Sequence, residues 1–165
     1  MTLETANGWI EKDVRALKDE FVGEAGQTLI QLIPQHSELE WVTVRDRHGA
    51  ECRNLDISEF VGAQISDGKG RGYILWVHEY KESNLTILWL REPPSEKSLL
   101  TLIDVALSEA RRSKMQKLTI WSPSDRLEKA VGFQKTQRRG ALPGLLYMGD
   151  EKPVKWRSIE KLGWC

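Results

Sequence analysis

Cysteine is scarce in this sequence. Cys52 and Cys165 are the two present, and their distance along the chain excludes a disulfide framework. Free thiols in a reducing compartment follow. No Cys/His cluster has zinc-ligand spacing, and His36 and His48 lack companions, so no metal is expected. No apolar run approaches membrane-spanning length. The opening Met1-Thr2-Leu3-Glu4 is acidic and lacks the apolar segment of a signal peptide. The chain reads as soluble and cytoplasmic, with no membrane partner. An excess of one charge is also missing: 24 Lys and Arg balance 24 Asp and Glu, so no global field favours nucleic acid. Neither a Gly-x-Ser-x-Gly elbow nor a Walker loop occurs, which removes two common signatures of catalysis.

What is present is an ordinary globular composition with an unusual supply of indole. The 165 residues suffice for one domain with its own core. Hydrophobic residues make up 40% and charged residues 29%, as in typical soluble chains. The seven tryptophans suit core or rim positions, where indole buries much area and keeps one donor. Charge is uneven along the chain. Residues 1–40 hold eight acids and three bases, and basic clusters follow at 111–114 and 138–139. Those clusters fit solvated helix ends and loops, or an anion site.

Periodicity gives most of the elements. Ile10, Val14, Leu17 and Phe21 predict a helix over 7–22, capped by Asn7 and ended by Gly23 and Gly26. Gln27 to Ile33 reads as a short strand stopped at Pro34. Residues 37–55 stay open. Trp41-Val42-Thr43-Val44 favours a strand with a turn at His48-Gly49, whereas Leu39, Val42 and Asp46 allow a helix face. Phe60 to Ile65 is a further strand. The glycine-rich loop over 67–72 precedes a strand rather than a helix, so it lacks the donors of a phosphate cradle. Tyr73–Tyr80 and Leu85–Leu90 form a hairpin of nearly continuous apolar strands, expected at the centre of a sheet.

Ser95–Ser113 is the strongest helix, with Leu99, Leu100, Ile103, Ala106, Leu107 and Ala110 on one stripe. Lys117–Ser122 is the next strand, Asp125–Val131 a short helix capped by Gly132, and Leu145–Met148 a late strand. The long helix makes the strands at 85–90 and 117–122 parallel through a crossover. The predicted fold is therefore mixed α/β. Residues 1–165 form a single domain: a less defined part at 1–71, a second half at 72–148, and a docked tail at 149–165.

In open α/β sheets ligands bind beyond the carboxyl ends of the strands. Two strands end in Trp89-Leu90-Arg91 and Trp121-Ser122-Pro123. Trp89, Arg91, Trp121 and Ser122 are thus the candidate cleft lining, with core packing of both indoles as the alternative. His78 and Glu79 are neighbours on a strand and point to opposite faces. Glu79 alone is the candidate general base, on condition of burial.

The segment from Leu127 to Phe133, ending Val131-Gly132-Phe133, resembles the helix-to-strand motif of the GNAT acetyltransferases. More narrowly, Tyr73-Ile74-Leu75-Trp76-Val77-His78, Leu85-Thr86-Ile87-Leu88, Trp121-Ser122-Pro123, Val154-Lys155-Trp156 and Glu160–Cys165 resemble the C-terminal domain of fungal lysine acetyltransferases. The resemblance implies a largely antiparallel GNAT-like sheet with helices on both faces and one parallel crossover. It implies acetyl-CoA as co-substrate and acetyl transfer to a small-molecule amine such as lysine. It also implies, as partner, a catalytic N-terminal GNAT domain or a second subunit. Three departures stand out. The family's glycine-rich phosphate loop is replaced by Arg91-Glu92-Pro93-Pro94-Ser95-Glu96, in which two prolines lack an N–H. Glu128 occupies the place of a family tyrosine. The catalytic N-terminal part is not in this sequence. Two readings follow: a partial or companion domain of a CoA-dependent N-acetyltransferase, and a non-catalytic GNAT-like module that packs on a partner or holds a substrate.

Overall fold

The computed structural model describes residues 1–20, 28–30, 36–68, 70–136 and 154–156. Along the chain these form α1 (Leu3–Glu20), β1 (Thr28–Ile30), α2 (His36–Glu51), β2 (Gly62–Ser66), β3 (Arg71–Glu79), β4 (Asn84–Arg91), α3 (Glu96–Arg112), β5 (Lys117–Ile120), α4 (Asp125–Val131) and β6 (Val154–Trp156). The main sheet has the order β2-β3-β4-β5. β2–β3 and β3–β4 are antiparallel, and β4–β5 is parallel across α3. β1 and β6 pair separately and in parallel.

β3 and β4 are central because their side chains are apolar on both sides. Every residue from Gly72 to His78 is buried, as is every residue from Asn84 to Trp89. On one face α1 and α2 bring Ala6, Ile10, Leu39 and Val42 against Tyr73, Leu75, Val77, Leu88 and Trp89. On the other, α3 and α4 set Leu99, Leu102, Ile103, Ala106 and Leu127 against Ile74, Trp76, Leu85 and Ile87. Helices therefore cover both faces of the mixed sheet, as expected.

The region left open at 37–55 is mainly the helix α2. Leu39, Val42 and Ala50 are fully buried along one side. Trp41 and Val44 are 58% and 59% exposed, so the branched run that favoured a strand straddles both faces of a helix. His48-Gly49 lies within the last turn. α1 begins earlier than its apolar spacing suggested: the Ala6 N–H donates to the Thr2 carbonyl at 3.0 Å, which puts Asn7 inside the helix. β2 starts at Gly62, and Phe60 is half exposed before it. β5 ends at Ile120, two residues short of the expected strand. The expected strand at Leu145–Met148, the helix end at Gly23–Gly26 and the basic pair Arg138-Arg139 lie outside the described residues.

Caps fix the last two helices. Ser95 Oγ accepts from the Ser98 N–H and Ser124 Oγ from the Leu127 N–H. Gly132 closes α4 at φ 67°, a left-handed position that suits glycine.

Candidate functional site

The site begins with an irregularity in β4. Leu75 pairs with Trp89 but Trp76 pairs with Ile87, so Leu88 is an extra residue in the ladder. A bulge bends its strand and re-aims the side chains after it. Leu88 and Trp89 consequently both join the core on the α1 face. The β4–β5 ladder ends at the pair Ile87–Ile120, and β4 runs on to Arg91 paired with β3 only. The two strands part there. The resulting cavity of about 310 Å³ is lined by Ile87–Leu90 and Glu92 on one side, Ile120–Ser124 on the other, and Leu127. Ser122 turns the chain at the mouth, with φ 45°.

Of the residues singled out by sequence, this opening brings Trp89, Trp121 and Ser122 together. Arg91 is exposed at the end of β4, paired with Tyr73, and does not line the cavity. Glu79 sits opposite Asn84, about 15 Å of strand from Trp89. Its carboxylate accepts from Asn84 Nδ2 at 3.0 Å and Thr86 Oγ1 at 2.6 Å. Glu128, at the family's tyrosine position, pairs with Lys135 at 2.5 Å.

The junction beside the cavity is filled and fastened. Pro93 is buried against Gly72, where an added Cβ would lie 2.5 Å from the proline Cδ. Pro94 sits on Gly70 in the same way, with 2.7 Å to its Cγ. The glycines at 70 and 72 thus serve close approach of this loop. Arg126 Nη1 donates to the Pro93 carbonyl at 2.7 Å and Nη2 to the Pro94 carbonyl at 2.9 Å. Its guanidinium also lies 3.6 Å from Glu92 Oε2, while Ser124 Oγ donates to Glu92 Oε1. At the start of α3, Ser98 Oγ donates to Asp67.

These groups decide how well acetyl-CoA fits. The parted strands offer an apolar slot for an extended chain. The pyrophosphate has no cradle: two prolines supply no N–H, Glu92, Asp67 and Glu96 surround the helix start with negative charge, and Arg126 is committed to carbonyls. The residues present do not fit the phosphate end of that group.

A second polar cluster lies on the α1 face beside Trp89. Asp13 Oδ2 accepts from Tyr73 Oη at 2.7 Å and, at a longer 3.4 Å, from Trp89 Nε1. Burial, then the Asp13 carboxylate, pushes the Tyr73 phenol far above its ordinary value. The Trp9 ring lies 5.5 Å from that of Tyr73, and Lys12 Nζ and Arg71 Cζ stand 5.1 and 5.7 Å from its centre.

A third cluster occupies the α3 face. His78 Nε2 donates to Glu109 Oε1 at 2.9 Å, and Arg112 grips the same carboxylate through Nε and Nη2. Ser113 Oγ donates to it at 3.0 Å. Sequence reading missed this cluster and the Asp13 group, because their members come from distant elements. Among the described residues no group of three or more His, Cys, Asp or Glu is placed to hold a metal ion, and no helix is long and apolar enough to cross a membrane.

A mixed sheet with a bulged strand, a parallel neighbour splayed from it and a crossover helix between them defines an acetyltransferase-type GNAT-like domain. The family model described as the LYC1 GNAT-like C-terminal domain matches residues 2–165, and the chain belongs to that family. No curated protein and no solved structure gives a match.

Proposed function

We propose that this chain is the companion domain of a CoA-dependent N-acetyltransferase acting on a side-chain amine such as that of lysine. In this reading it helps to hold the acceptor, and the cofactor loop is supplied by a catalytic N-terminal GNAT domain or a second subunit. The observation that carries the proposal is the Pro93-Pro94 junction. It is seated on Gly72 and Gly70 and tied by Arg126, while the adjoining slot stays open. A domain that bound the cofactor alone would need backbone donors at that junction. Trp89, Trp121 and Ser122 line the slot and would pack on an apolar segment. Arg91 lies outside the slot, opposite Tyr73 on β3.

Calorimetric titration of the chain with acetyl-CoA tests the proposal. The expected result is no binding up to about 1 mM, the weak end of specific affinities. Micromolar binding together with acetyl transfer to lysine would overturn it. Glu79→Gln is a second check. The amide keeps an acceptor for Asn84 and Thr86, so turnover of the assembled enzyme should change less than about twofold. A loss of the 10²-fold order typical of a missing base would restore a catalytic role for Glu79.

A further inference from the structure

The slot between β4 and β5 has an open backbone edge. From Leu88 to Arg91 β4 is paired with β3 on one side, but on the other its ladder stops at Ile87–Ile120. Among the described residues, no backbone bond from a turn or loop reaches 88–91 either. Four residues of strand span about 13 Å, and alternate N–H and C=O groups along them face the slot. Polar backbone beside an apolar cavity costs free energy until it is paired. An open strand edge is also a template for another chain.

The walls are apolar on both sides of the sheet. Leu88 and Trp89 belong to the core on the α1 face, and Ile87 and Leu127 to the core on the α3 face. Leu90, Ile120 and Trp121 line the same opening and are only partly buried. A chain seated there meets apolar surface whichever way its side chains point, the condition that makes central strands continuously apolar. The mouth is acidic. Glu92 lines it, and Glu96 and Asp125 stand exposed in the first turns of α3 and α4. Arg91 and Arg126 offset these carboxylates only in part, and Arg126 is held by the Pro93 and Pro94 carbonyls. Basic flanks therefore suit the occupant, and phosphate does not.

These features choose among occupants. An alkyl chain would cover the walls and leave the edge unpaired. An extended polypeptide covers the walls and pairs the edge. A cavity of about 310 Å³ takes a short run of residues rather than a domain face.

We propose that the β4–β5 slot receives an extended apolar segment of a partner polypeptide, flanked by basic residues, which adds to β4 as a strand along Leu88–Arg91. The assignment rests on the companion-domain reading above and names the kind of contact by which the partner is held.

The test records backbone amide resonances of the ¹⁵N-labelled chain during titration with the blocked peptide acetyl-Lys-Val-Ile-Val-Ile-Lys-amide. The expected result is saturable shifts at 88–91 with a Kd at or below about 1 mM. Two further peptides carry N-methyl groups at alternate residues, so each lacks the N–H donors of one edge and keeps every side chain. One should bind about tenfold or more weakly than the parent, and the other as the parent does. That alternation is the signature of an added strand. Equal behaviour of the two methylated peptides overturns the proposal. So does a parent peptide that leaves 88–91 unmoved up to about 10 mM, past the millimolar range, or shifts only the edge strand at 63–66. Shifts at 88–91 with n-octanol or pantetheine but not with the peptide overturn it as well, and assign the slot to a small molecule. Peptide silence together with silence to acetyl-CoA sinks this inference alone, whereas acetyl-CoA binding with transfer to lysine sinks the companion-domain reading.

Discussion

Glu109→Ala lowers the unfolding free energy by about 3 kcal/mol, with the urea midpoint falling at unchanged slope. The side chain is 8% exposed and its two oxygens take four hydrogen bonds, from His78, Ser113 and twice from Arg112. Arg112 is largely exposed and returns to water on truncation. His78 is not: its Nε2–H would remain buried without an acceptor, which carries the full desolvation penalty. Burial by itself would raise the Glu109 carboxyl, but the bonds from Arg112, His78 and Ser113 outweigh it and hold the group at about 2. Against an ordinary value of 4.5, that depression corresponds to about 3 kcal/mol.

The same cluster sets the acid limb of stability. The Glu109 value is lower in the fold than in the open chain. Its contribution is therefore complete above pH 4.5 and is lost as pH falls toward 2. Burial lowers His78, and the bond to Glu109 only partly restores it, so the fold holds a neutral imidazole. That contribution is complete above the ordinary value of 6.5 and fades as pH falls below it. Wild-type stability should decline in two stages on acidification. Glu109→Ala should lose the lower stage, which denaturant titrations between pH 7 and pH 3 would read.

Legibility in the sequence followed the range of the interactions. The β3–β4 hairpin, α3 and α4 were readable because each carries its apolar pattern and its cap within a few residues, as Ser95 and Gly132 show. α2 was not, since Trp41-Val42-Thr43-Val44 has strand-like side chains while its burial follows Leu39, Val42 and Ala50. At the site, Trp89, Trp121 and Ser122 were found from the rule that ligands gather beyond strand ends. The Leu88 bulge depends on cross-strand register and left no local mark. Asp13 meets Tyr73 and Trp89 across 60 and 76 residues of chain, a pairing that no spacing rule can supply. The Gly70 and Gly72 pattern was visible, but its reason, room for two prolines, exists only in the folded chain.

Gly72→Ala is expected to cost about 2–3 kcal/mol, at the upper end for overpacking a core. The clash is with backbone as well as ring: the new Cβ would lie 2.8 Å from Pro93 N and 2.5 Å from its Cδ. No rotamer change relieves it, because the proline ring is rigid and its carbonyl is held by Arg126. Gly49→Ala is the matched control. It lies in α2 with nothing within 4 Å of an added Cβ, so alanine should stabilise by about 0.5–1 kcal/mol through helix propensity. Opposite signs in the two variants, measured by thermal or urea unfolding, would locate the cost at the proline seat rather than in glycine replacement. The variant also separates two causes of the missing cofactor site. If the seat alone kept phosphate out, loosening it would let acetyl-CoA bind. If the missing N–H groups are the cause, the chain stays silent to acetyl-CoA although the loop has shifted. The second outcome is expected, because moving Pro93 and Pro94 creates no donor and leaves Glu92 at the mouth.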